Sequence, residues 1–174
     1  TCNDAVAGTV NIGGGTNACS NAGTFESSFA SGTTTIGVTF NNTGSVQVGT
    51  GGTLNLSGGG TSTGGSFTGG GTLQFSSGYT FDAASTISTA NAIFSAGTTT
   101  LAGTYSATNT TLSGGTLTTG SSPITLGTNF THAGGMGNAR LNKLSPELQK
   151  QFGYQPAQAT AAEKQQAEAN RNFR

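Results

Sequence analysis

A chain of 174 residues with six basic and six acidic side chains is 7% charged and only 32% hydrophobic. It is too thinly apolar for one thick core, and too lightly charged for nucleic acid to be an expected partner. The first basic residue is Arg140, and the only acids before it are Asp4, Glu26 and Asp82, so residues 1–139 must act through shape, backbone and hydroxyl groups.

A Gly-, Ser- and Thr-rich chain is either a flexible linker or a repeat fold whose short units bury a few apolar residues against their neighbours. Spacing separates the two. Val10, Phe29, Val48, Phe67, Ile87, Tyr105 and Ile124 recur in steps of 18 to 20 residues, and so do Ile36, Leu54, Leu73, Ile93, Leu112 and Phe130. A linker has no cause to do this. Two registers with one period predict a repeating unit of about 19 residues with these thirteen side chains as core columns.

Within each unit, Val46-x-Val48, Leu54-x-Leu56, Leu73-x-Phe75, Tyr79-x-Phe81 and Ile124-x-Leu126 alternate apolar with small polar residues. This is the pattern of a strand with one buried face. Clusters such as Gly49-Thr50-Gly51-Gly52 and Gly58-Gly59-Gly60 punctuate the strands as corners. A single coil of two or three short strands has little to pair with, whereas stacked coils pair each strand with its equivalent one coil away. The predicted fold is therefore all-β: a parallel β-solenoid, or β-helix, of about seven 19-residue coils. The usual hand of parallel crossovers favours right-handed winding. Outside the core, Thr61, Thr80, Thr99 and Thr118 are each 19 apart and predict an outward threonine ladder.

The segments Phe40–Val48, Gly52–Ser62 and Gly71–Phe75 resemble the β-strand repeats of large secreted bacterial surface proteins, the filamentous-haemagglutinin-like adhesins and autotransporter passengers. The similarity covers residues 30–131 and lies in repeat style. It implies a right-handed β-helix, a secreted or cell-surface location and an adhesive or scaffolding role, and it carries over no functional residues.

Cys2 and Cys19 are 17 apart, close to one coil. Adjacent strands lie about 4.8 Å apart, within the reach of a disulfide, so a Cys2–Cys19 bridge is expected to staple the first coil in an oxidising compartment. No secretory leader and no membrane span are recognisable, which suits a mature or truncated secreted chain without membrane insertion.

Catalytic signatures are weak. Gly60-Thr-Ser-Thr-Gly64 has the spacing of a nucleophile elbow but not its helix or its His and acid partners. His132 is the sole histidine, and its distance from any cysteine argues against a metal site. Glu26 and Asp82 are separated by almost three coils, roughly 14 Å at strand spacing, too far apart to act as a glycosidase pair. No catalytic residue, metal or cofactor is expected.

Two alternatives remain. One is an ice-binding solenoid, against which stands the absence of a second threonine column, since Thr63, Asp82, Leu101 and Gly120 lie two residues beyond the ladder. The other is a carbohydrate-binding or carbohydrate-active β-helix that contacts surface glycans through Tyr79, Tyr105 or exposed phenylalanines.

From Arg140 the composition changes. All six basic residues and the other three acids follow, so a body of formal charge −3 precedes a tail of +3. Ser145-Pro146-Glu147 is a helix start, Leu141, Leu144, Leu148 and Phe152 fall near one face, and Gly153 with Pro156 ends the run. The chain thus reads as a solenoid over 1–135 and a helical tail over 136–174. The tail either caps the last coil or joins subunits end to end. The expected role is a non-catalytic, secreted structural or adhesive element that self-associates.

Overall fold

The computed structural model describes residues 9–10, 17–28, 30–119, 124 and 126–133. The chain divides into two units, Thr1–Gly134 and Gly135–Arg174, and the second lies wholly outside the described residues. So do the tail residues Leu141, Leu144, Leu148 and Phe152, together with Cys2 and Phe29.

Among the described residues every regular element is a strand. In chain order these are β1 Thr9–Val10, β2 Ala18–Asn21, β3 Thr24–Ser27, β4 Gly32–Ile36, β5 Thr39–Asn42, β6 Ser45–Val48, β7 Gly52–Leu56 and β8 Gly60–Ser62. They continue with β9 Ser66–Phe75, β10 Tyr79–Phe81, β11 Thr86–Phe94, β12 Thr98–Leu101, β13 Thr104–Tyr105, β14 Asn109–Leu112, β15 Thr116–Thr119 and β16 Asn129–His132. All pairings are parallel. Strands separated by about one repeat pair with each other, which makes a β-solenoid of about five turns.

Each turn has three strand positions. The first face is β2, β5, β8, β10, β12 and β15. The second is β3, β6, the first halves of β9 and β11, and β13; the third is β1, β4, β7, the second halves of β9 and β11, β14 and β16. Cys19, Phe40, Gly60, Tyr79, Thr99 and Leu117 stack on the first face, so successive turns take 21, 20, 19, 20 and 18 residues. The period is an average, and the departures from it have consequences.

The core is a narrow spine filled by alternate residues of all three faces. Phe25, Val46, Phe67, Ile87 and Tyr105 form its column on the second face. Leu54, Leu73 and Ala92 form one on the third, with Ile36, Leu56, Phe75, Phe94 and Leu112 beside it. The middle turns are aromatic. Phe75 stacks on Phe94 with centroids 5.3 Å apart and meets Phe81 edge-on at 5.6 Å, while Phe67 meets Phe81 edge-on at 5.4 Å. These offset and T-shaped arrangements suit the ring quadrupole and add to simple burial.

The predicted columns need correction at Val48, at Ile36 with Val10, at Ile93, and at Leu112, which pairs with Phe94 and His132 while Phe130 pairs with Thr110. Val48 is buried, but it pairs with Ser27; Val46 is the neighbour of Phe67. Ile36 pairs with Leu56 and with Val10, so Leu54 belongs to the adjacent inward column and Val10 to the third face. Ile93 is not core: Leu73 is followed by Ala92, and Ile93 sits between Gln74 and Thr111 on the outward side, half-buried. The cause is an irregularity between Thr89 and Asn91, where β11 has one residue fewer than the Gly69–Thr72 stretch of β9. Because side chains alternate, a one-residue slip exchanges inside for outside. Ile124, Leu112 and Phe130 occupy the later turns and are half-buried.

Glycine meets two needs at the corners. Gly59 and Gly97 have φ of 70° and 71°, values that side-chain-bearing residues rarely adopt. Gly60 has φ of 140°, and a Cβ there would collide with the Phe40 carbonyl oxygen of the preceding turn.

Candidate binding faces

The outward residues form columns in which side chains repeat at strand spacing, about 4.8 Å, and stand two residues, about 6.7 Å, from the next column. On the first face one column is Ser20, Asn41, Thr61, Thr80, Thr100 and Thr118. The threonine ladder therefore exists, but with Thr100 in the place expected for Thr99. One additional residue between Phe94 and Thr99, relative to the Phe75 to Tyr79 corner, turns Thr99 inward, where it is 1% exposed and pairs with Tyr79. A second outward column, where the sequence predicted none, lies two residues before the ladder on this face. Thr39 and Ala18 share one pair and Thr98 and Thr116 another, with Gly59 and Gly78 preceding β8 and β10 in the same position.

The third face carries Thr33, Thr53, Thr72, Asn91, Asn109 and Asn129 in one column and Thr35, Asn55, Gln74, Ile93, Thr111 and Thr131 in the other. Its side chains bond to each other. Asn129 Nδ2 donates to Asn109 Oδ1 at 2.8 Å, and Asn109 Nδ2 to Asn91 Oδ1 at 2.9 Å. Ser76 Oγ donates to Asn55 Oδ1 at 2.8 Å and Gln74 Nε2 to Ser76 Oγ at 3.2 Å. The second face has Thr24, Ser45, Ser66, Thr86 and Thr104, beside Glu26, Gln47, Thr68 and Ser88.

The interior also holds polar groups. Asn21 and Asn42 are fully buried at the first corner, with Asn21 Nδ2 donating to Asn42 Oδ1 at 2.8 Å and to the Ser45 carbonyl at 3.0 Å. Asn42 Nδ2 donates to the Gly44 carbonyl at 3.2 Å, and the Gly44 N–H returns a bond to Asn42 Oδ1. Neither amide ladder was anticipated, although the spacings of 21 between Asn21 and Asn42, and of 18 and 20 along Asn91, Asn109 and Asn129, are present in the sequence.

Asp82 closes the equivalent corner three turns later. Its carboxylate accepts from the Gly64 N–H at 3.0 Å, the Ser85 hydroxyl at 2.7 Å and the Ala84 N–H at 3.2 Å. The Gly64 backbone bond, followed by the Ser85 hydroxyl, holds its pKa below the ordinary value. Glu26 lies outward on the second face, three turns before it, and the structure does not bring the two acids together.

No group of three or more His, Cys, Asp or Glu side chains able to hold a metal ion occurs among the described residues. His132 follows Leu112 in an inward column and is half-buried. Tyr79 and Tyr105 are 1% and 6% exposed. The Tyr79 hydroxyl donates to the Thr61 carbonyl at 3.0 Å, and Tyr105 bonds to the Thr110 hydroxyl at 2.6 Å. They are core residues and offer no platform for a sugar ring. Cys19 is buried, and no cysteine is free among the described residues; its expected partner Cys2 lies outside them.

The described outer faces are mainly a lattice of hydroxyls and amides, with Glu26 on the second face, and are suited to hydrogen bonding. No protein-family model matches this chain, and no curated protein or solved structure does so either.

Proposed function

We propose that the protein is a non-catalytic, secreted structural or adhesive β-solenoid of a cell surface, and that molecules join end to end through the C-terminal tail. The proposal includes right-handed winding, about seven coils in all, a helical tail and a Cys2–Cys19 staple. The observation that carries it is the parallel stack whose three faces show repeating Thr, Ser, Asn and Gln and, among the described residues, no cluster of three or more acidic, His or Cys side chains. A rod of this kind supplies length and repeated weak contacts. The opposite formal charges of body and tail favour contact between neighbouring molecules.

Electron microscopy of the purified chain with and without residues 140–174 tests it. Filaments that disappear on truncation are expected; the same short dispersed rods in both samples overturn end-to-end assembly. For the staple, alkylation without reductant is expected to leave the intact mass unchanged, and two added alkyl groups remove it.

A second reading, binding to an ice surface, gains support from the register on the first face. Thr98-x-Thr100 and Thr116-x-Thr118 are adjacent outward pairs, with Thr39-x-Asn41 further along, although Gly59 and Gly78 interrupt the second column. Thermal hysteresis that Thr100→Lys abolishes would establish this reading, and an absence of ice shaping by the unaltered protein would end it.

A further inference from the structure

We draw no further inference here: the strongest candidate, the half-buried apolar cluster at the C-terminal end of the stack formed by Leu112, Leu117, Ile124 and Leu126, carries nothing because nothing in the structure shows what covers it.

Discussion

The middle turns and the first turns fill the same inward positions by opposite means. On the first face, the column occupied by Phe81 and Leu101 in later turns is occupied by Asn21 and Asn42 in the early ones, with Ser62 between them. The middle is held by ring contacts and apolar burial, which are strong but non-directional. The first corner is held by amide bonds, whose value lies mostly in what it would cost to leave a buried group unpaired. In a solenoid each turn touches only its neighbours, so the two solutions coexist a few turns apart without a shared centre.

The sharpest test of this contrast is to remove one residue from each region. Phe75→Ala deletes a fully buried ring in contact with Phe94, Phe81 and Tyr79, and is expected to destabilise by about 4 kcal/mol in urea unfolding. Gly60→Ala puts a methyl group against the Phe40 carbonyl in a backbone conformation that suits only glycine. Its expected cost is about 2–3 kcal/mol, and a neutral result would mean that the corner can rearrange.

Asn42→Ala leaves Asn21 Nδ2 with the Ser45 carbonyl alone and the Gly44 N–H without its side-chain acceptor. A loss of about 2 kcal/mol is expected from the same unfolding curves. A value equal to that of Phe75→Ala would erase the distinction between the two regions.

The smallest effect appears at alkaline pH. Burial pushes the Tyr105 hydroxyl up to about 12 and Tyr79 higher still. The folded state favours the neutral phenol, so this stabilisation is complete below the ordinary value near 10 and is lost as pH rises toward about 12. Two of the three tyrosines are expected to ionise late in an ultraviolet titration. Ionisation of all three near pH 10 in the folded protein would contradict the buried aromatic spine.

The parallel stack was readable from the sequence because an average period survives small errors: Phe67, Ile87 and Tyr105 do share a column, and Leu54 does meet Leu73. The facing of single residues was harder to read. Thr99 and Ile93 follow corners that are one residue longer or shorter than those of the neighbouring turn, and a constant step of 19 carries no information about where the extra residue sits. Since alternation has a period of two, that single unit is enough to invert a side chain. The amide ladders are less legible for another reason: apolar periodicity carries no signal from polar residues that keep the same period, even where, as with Asn21 and Asn42, they lie inside.

The additional residue at the corner before Thr99 also bears on how such a chain can diverge. A single codon gained or lost at one bend re-aims the strand that follows it, while the irregularity between Thr89 and Asn91 shows that a nearby bend can absorb the opposite change. One flank of the rod can therefore acquire a different outer texture while the other two flanks keep theirs, so its exterior is open to selection bend by bend.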